Sequence, residues 1–393
     1  MKRLIFIWLV MGCLGLKGQG LLDLLKSDTS EIIQKVLKDS AKYRLQIIYT
    51  KIEKTSSFLK RDRSNLITEY IRNKPEEYFF PASLVKMPVA ALALEKLNEL
   101  KVFGVNEYTP FAPLSDFQCN KSDVPSAPLT THDLIDKIFV YSDNHAFNYL
   151  YELCGQAFIN RRLQQLGYSN ARIIEKISRC NTLQNGETGP VVFYDNQKTL
   201  HIEGRQMPIS LKQVSVNMKI GKGYLWNGKY VSSPKDFSTS NVVTLSDFHQ
   251  MLISFVLPEK VKDNQRFLIS ESQRKGLLES MCKLPSEYYP DSCNKQTFKD
   301  THVKYLMGYR DSIPSHWKIY NKVGLAHGFI SDCTYFEDKE KDISFFLSAV
   351  IYVNEDNILN DGKYEYYSVG FPFMRALGKL VYNYELQMKG NKN

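Results

Sequence analysis

Phe79-Phe80-Pro81-Ala82-Ser83-Leu84-Val85-Lys86-Met87-Pro88-Val89-Ala90-Ala91-Leu92-Ala93-Leu94 is the stretch that decides how the rest of the chain is read. Leu84 to Leu100 is rich in Ala and Leu with a helical period, so it predicts a helix opening just after Ser83. Within it, Ser83-Leu84-Val85-Lys86 is an S-x-x-K, and positions i and i+3 of a helix share a face. The apolar neighbours Phe79, Phe80, Leu84, Val85, Met87 and Val89 would strip water from the amine and lower its pKa. A neutral lysine can then take the serine's proton, and the N–H groups of a helix start face any oxyanion that forms. The motif alone carries little weight. Serines 57, 83, 232, 272, 280, 292 and 315 each have a lysine three residues on.

What sets Ser83 apart is its company. Tyr141-Ser142-Asp143-Asn144 contains the chain's single S-D-N, and Lys322-Val323-Gly324 lies further on, ahead of a strand-like segment. In that order the three resemble the S-x-x-K, S-D-N and K-T-G set of class A β-lactamases and penicillin-binding proteins. The resemblance implies that Ser83 is the nucleophile and Lys86 its base or relay. It makes Ser142 a proton shuttle toward the leaving nitrogen, and Asn144 a group that positions Lys86 and the substrate's amide. Lys322 would face a substrate carboxylate, with Gly324 at the cleft edge. The oxyanion donors would be the backbone N–H groups of Ser83 and Leu325, and Tyr141 would line the cleft.

Two departures qualify the resemblance. Val323 replaces the threonine of K-T-G and removes a donor. The family's R-x-E-x-x-L-N loop, whose Glu activates the hydrolytic water, is matched only by Arg172-Ile173-Ile174-Glu175-Lys176-Ile177-Ser178-Arg179-Cys180-Asn181, with altered spacing on both sides of Glu175. Glu175 is the candidate for that role, and Glu187 is a second. His327, just past K-V-G, and the aromatic residues Tyr224, Trp226 and Tyr230 are further candidates for the cleft or its cover.

Working outward, Leu21–Lys38 reads as helix with an interruption at Asp28-Thr29-Ser30, and 43–52 and 66–71 read as strands. Helices are expected at 131–139, 146–154, 244–257 and 271–281, strands around 317–323, 334–336 and 343–353, and a closing helix at 368–386. Residues from about 168 to 240 show little periodicity and read as a long loop followed by an inserted excursion, with the insertion placed around 182–243. The expected fold class is therefore α+β, β-lactamase/transpeptidase-like. One antiparallel sheet, built from both ends of the chain and flanked by the N- and C-terminal helices, stands beside an all-helical lobe.

At 393 residues, with 43% hydrophobic and 24% charged, the chain suits a folded protein with a substantial core. The net charge of +9 favours anionic surroundings, but the lysines and arginines are spread without a run, which excludes nucleic acid as the expected partner. Lys2-Arg3, the apolar stretch Leu4–Leu16 and Lys17-Gly18-Gln19-Gly20 read as an export signal over 1–20, leaving 21–393 as the hydrolase domain. A lipobox-like Val10-Met11-Gly12-Cys13 offers the alternative of a lipidated Cys13 and a membrane anchor. The expectation is a monomer of the periplasm or cell envelope without metal or other cofactor, since neither CxxC nor HExxH occurs. Six cysteines would remain outside Cys13, with Cys282 and Cys293 the expected local pair. The expected activity is hydrolysis of a β-lactam or related amide or ester through an acyl-enzyme on Ser83. The alternatives are a penicillin-binding DD-peptidase with slow deacylation on peptidoglycan-like substrates, or a catalytically silent envelope protein.

Overall fold

A computed structural model describes residues 20–53, 65–114, 128–177, 186–194, 199–206, 216–288, 298–310 and 312–390. Residues 1–19 of the expected signal segment, with Cys13, fall outside this set, as do Arg179, Cys180, Asn181 and Cys293.

Strands β1 (Gln46–Glu53), β2 (Asn65–Ile71), β3 (Trp317–Ala326), β4 (Phe329–Asp338) and β5 (Ile343–Tyr352) form one sheet in the order β3-β4-β5-β1-β2. Every pairing is antiparallel, and the two ends of the chain meet where Gln46 opposes Val350 and Lys51 opposes Phe345. β3 and β4 turn on His327 (φ 51°) and Gly328 (φ 83°). A two-residue hairpin whose twist matches the strands needs both residues left-handed, and glycine supplies the second at no steric cost.

The sheet's two faces are buried separately. Helices α1 (Leu21–Ser27), α2 (Glu31–Lys38) and α9 (Phe371–Gly390) cover one face over Leu45, Ile47, Tyr49, Phe336, Phe345 and Leu347. The break between α1 and α2 falls on Asp28-Thr29-Ser30, where the Asp28 carboxylate accepts from the Ser30 N–H. The other face meets a helical lobe comprising α3 (Lys86–Leu100), α4 (Thr131–Val140), α5 (Asn144–Cys154), α6 (Gln156–Gln165), α7 (Leu245–Val256) and α8 (Glu271–Cys282). α3 is buried all round from Lys86 to Leu94 and forms the lobe's axis, as expected of a helix without a polar face. Pro88 is tolerated because it stands in the first turn, whose N–H groups have no intrahelical partner. The capping boxes Thr130/Asp133 and Ser270/Gln273 start α4 and α8. α7 is fastened to the sheet by neutral His249, which bridges Thr50 Oγ1 and Ser348 Oγ at 2.8 Å each. Burial holds its imidazole pKa down at about 3.

Three expectations need correction. The aperiodic middle is more ordered than a loop: short strands at Glu187–Thr188, Val191–Tyr194, Thr199–Ile202, Lys219–Ile220, Gly223–Trp226 and Lys229–Val231 pair locally. The second lobe is therefore helical with small sheets attached. Such strands are too short to carry a period. α6 had no sequence signal of its own, because Gly155 (φ 75°) turns the chain at once from α5 into it. Of the expected pair Cys282 and Cys293, Cys282 is a free, part-buried thiol and Cys293 lies outside the described residues; Cys154 and Cys333 are free and buried.

Candidate active site

The helix that carries Lys86 does not start abruptly. Ala82–Val85 is a 3-10 turn leading into α3, and in such a turn residues i and i+3 stack. Ser83 thus sits directly over Lys86, at a half-buried position. Ala82 is held at φ 45°, a left-handed conformation that a non-glycine residue adopts only under tertiary constraint.

Lys86 is fully buried. Its Nζ donates to the Ser142 carbonyl (2.6 Å) and Asn144 Oδ1 (2.6 Å), and it lies 3.3 Å from Ser142 Oγ. All three partners are neutral. Burial therefore dominates, and the amine's pKa falls to about 7, with Asp143 alone pulling upward. Among the described hydrogen bonds none joins Ser83 Oγ to Lys86, whose amine in this resting geometry is directed to the S-D-N turn.

That turn explains its own sequence. Ser142 is left-handed (φ 62°), which points its carbonyl and hydroxyl inward. Asp143 turns the other way and caps α5 by accepting from the Ala146 N–H at 2.7 Å. Asn144, the first residue of α5, returns to the site. One carboxylate is spent on a helix end so that two neutral groups can face the lysine.

From the sheet, Lys322 Nζ reaches Ser142 Oγ at 2.8 Å and the Val323 carbonyl at 3.1 Å. It is buried, and desolvation together with the nearby Lys86 charge holds its amine well below the ordinary lysine range. Ser142 thus stands between two amines, and a charge on Lys86 disfavours a second charge on Lys322. β3 is the sheet's edge strand, and it is covered here by the 3-10 turn. A Cβ on Gly324 would come within 2.5 Å of the Pro81 carbonyl and 2.6 Å of Ser331 Oγ. Only glycine lets K-V-G approach the nucleophile's turn so closely. Leu325 follows on β3 at 39% exposure. Tyr141 stacks on Phe298 (5.6 Å, 13°) and meets Tyr288 edge-on, while Phe298 packs on His302, whose imidazole feels the Lys322 charge. The aromatic residue before S-D-N thus belongs to a wall beside Lys322.

Glu175 lies on a strap, Ala171–Ile177, whose backbone is satisfied by side chains. Asn241 Oδ1 accepts from the N–H of Ile174 (2.7 Å) and Glu175 (2.9 Å). Asn160 grips Ile173 through both its amide groups, and Asn148 grips Ile177 in the same way. Lys176 forms a fully buried ion pair with Glu152 and donates to the Glu187 carbonyl. The Glu175 charge bears on Tyr78 and Arg172. The sequence reading missed these clamps; their signal was buried amide side chains, Asn148 on α5, Asn160 on α6 and Asn241 in the segment before α7.

Among the described residues no group of three or more His, Cys, Asp and Glu could hold a metal ion, and no helix is long and apolar enough to cross a membrane.

The sheet, the lobe and the serine–lysine turn between them define a β-lactamase/transpeptidase-like fold. The chain belongs to the β-lactamase enzyme family, whose model matches residues 29–262. That span holds the first two motifs; the structure brings the third, Lys322-Val323-Gly324, to them. A β-lactamase from Burkholderia vietnamiensis is similar in structure at 12% identity and TM-score 0.50, covering 91% of this chain and 98% of that one. A β-lactamase from Xanthomonas campestris pv. campestris (15% identity, TM-score 0.49, 92% and 97% covered) is also similar. So is a PBP-A variant solved as an acyl-enzyme complex with penicillin G (13%, 0.49, 92% and 96%). A comparison with curated proteins gives no match.

Proposed function

We propose that this chain is an exported serine hydrolase that acts through a covalent acyl-enzyme on Ser83. The observation that carries the reading is Lys86, a buried amine with neutral partners and a pKa brought down to about 7. Neutral Lys86 takes the hydroxyl proton as Ser83 Oγ attacks an amide or ester carbonyl, and the N–H groups of Ser83 and Leu325 receive the oxyanion. Ser142, bonded to Lys322, passes its proton to the leaving nitrogen or oxygen as the tetrahedral intermediate collapses and takes one from the Lys86 ammonium, which returns to its neutral form. Water then cleaves the acyl ester, with Glu175 as the candidate base. The substrate class is a β-lactam or a peptidoglycan-like peptide. The working compartment is the periplasm or cell envelope, reached through the signal over 1–20 or through a lipidated Cys13.

A second reading is a penicillin-binding enzyme that releases its acyl group slowly. The altered spacing around Glu175, with its charge bearing on Tyr78 and Arg172, favours it. Intact-mass spectrometry after exposure to benzylpenicillin and simple esters tests both. A stoichiometric adduct absent from Ser83→Ala supports acylation, and its lifetime separates turnover from stalling. An equal adduct on Ser83→Ala would overturn the assignment.

A further inference from the structure

Arg172 and Val242 exchange two backbone hydrogen bonds of 2.6 and 2.7 Å, closing the neck of the long excursion between them. The later part of that excursion crosses to the carboxy-terminal segment. Gly223–Trp226 pairs in parallel with Ile358–Leu359, and Lys235–Asp236 pairs with Lys219–Ile220. Three rings thereby gather around one ammonium. Lys235 Nζ lies 5.2 Å from the ring centre of Tyr224, 5.7 Å from that of Trp226 and 5.5 Å from that of Phe237. Its partners among the described residues are these rings and His327, which feels its charge, and no carboxylate is among them.

The cluster is continuous with the site. Phe237 packs on Phe80 (5.3 Å) and His327 (5.2 Å), and His327 stands edge-on to Phe80 at 4.8 Å. Phe80 precedes Pro81, whose carbonyl abuts Gly324. The direction of the substrate follows from the proton relay. Ser142 must lie beside the leaving atom, and Ser142 is bonded to Lys322, so the leaving part lies on the Lys322 side of Ser83. The acyl part then runs the other way along β3, past Gly324 and Leu325 to His327, roughly 16 Å from Lys322 at a strand's rise per residue. That end carries the aromatic wall, an ammonium half-shielded from water, and the 60% exposed face of Trp226. A cation held on ring faces with no acidic partner among the described residues is part-shielded from water and placed to receive an anion.

We propose that Lys235, held against Tyr224, Trp226 and Phe237, is the receptor for a carboxylate on the acyl portion of the substrate, and that an adjoining ring or planar group of that acyl portion lies on Trp226. The proposal rests on acylation at Ser83 and names which acyl donors that site prefers. Two penicillins whose phenylacetyl side chains differ by a single carboxylate test it, with the rate of Ser83 acylation read by intact mass. The wild-type protein should favour the carboxylated probe, and the preference should shrink with added salt. Lys235→Met should lower the carboxylated-to-neutral rate ratio about tenfold and leave the neutral probe unchanged, whereas Lys235→Arg should keep the ratio. A wild-type protein without the preference, or a Lys235→Met variant with the ratio intact, would overturn the proposal. So would equal slowing of both probes, which marks a merely structural role. If Lys235→Met does not fold, the salt dependence of the wild-type ratio decides. Failure of the acylation reading looks different: neither probe labels the wild type, or Ser83→Ala is labelled as well.

Discussion

Two of the S-x-x-K pairs at helix ends in the same lobe, Ser83/Lys86 and Ser280/Lys283, have opposite fates. Ser83 lies in the 3-10 turn before α3 and Lys86 begins that helix; Ser280 is in the last turn of α8 and Lys283 caps it. At the second pair both side chains turn to one acid. Ser280 Oγ donates to Asp136 Oδ1 at 2.6 Å, and Lys283 Nζ donates to Asp136 Oδ2, tying α8 to α4. At the first pair no carboxylate is among the lysine's hydrogen-bond partners, because Asp143 is occupied at the start of α5. Lys283 has a counter-ion, whereas Lys86 is fully buried with only a carbonyl, an amide and a hydroxyl as hydrogen-bond partners. The motif's spacing brings a hydroxyl and an amine together in both places. Whether the amine is a base or a strut is decided by the third group, which lies far away in sequence.

The largest break in this comparison comes from removing each amine. Lys86→Met should lower Ser83 acylation by about a thousandfold or more, since the nucleophile loses its base. Lys283→Met should leave acylation unchanged and appear only in unfolding, at about 1–3 kcal/mol, as Asp136 keeps a buried carboxylate without its cation. Acylation kinetics and denaturant melts of the two variants check both halves. Equal loss of acylation in the two would end the distinction.

Next in size is the approach of β3. Gly324→Ala puts a methyl group 2.5 Å from the Pro81 carbonyl, and a backbone atom cannot rotate away. Either β3 or the turn holding Ser83 must shift, and a displacement near 1 Å at an acylating site costs about a hundredfold in rate. Single-turnover acylation should show that loss with the circular-dichroism spectrum preserved.

The pH dependence is the third test. A base must be neutral to work, and Lys86 loses its proton near pH 7. Acylation should therefore fall about tenfold per pH unit below 7 and level off above it. A limb displaced to pH 10 would mean that the amine is charged at rest, as an acid-paired lysine is. Lys86→Arg, which cannot shed its proton, should abolish the limb along with the activity.

How much of this was legible follows the same divide. The N- and C-terminal strands, the α3, α4, α5, α7 and α8 segments and the sheet shared by the chain's two ends could be read, because long periodic elements carry their own signal. The three motifs could be read because each keeps its chemistry within three or four residues. What stayed hidden was set by partners away in sequence: Asn241 and Asn160 clamping the strap that carries Glu175, and the Gly223–Trp226 strand, paired locally with Lys229–Val231, adding a parallel pairing with Ile358–Leu359. The pair at 280 and 283 was indistinguishable by spacing from the pair at 83 and 86. Asp136 lies more than a hundred residues away from the former, and the sequence gives no sign that the three meet.

The smallest effect is the most exacting for the comparison. Ser280 is almost fully buried, and its hydroxyl is one of two close donors to Asp136, the other being Lys283, with His132 Nε2 more distant at 3.9 Å. Ser280→Ala therefore leaves the carboxylate with its main cation and should cost about 1 kcal/mol in unfolding free energy, near the net value of one hydrogen bond. The site, however, is not remote from this helix, since α8 packs against β3, the strand that carries Lys322 and Gly324. If α8 served only to tie the lobe together, Ser280→Ala would shift the denaturation midpoint and leave the rate and the pH limb of Ser83 acylation untouched. A change in the limb's midpoint would mean that the strut at Asp136 also sets the position of Lys322 beside Ser142, the hydroxyl it shares with Lys86. The two S-x-x-K pairs would then be coupled rather than contrasted.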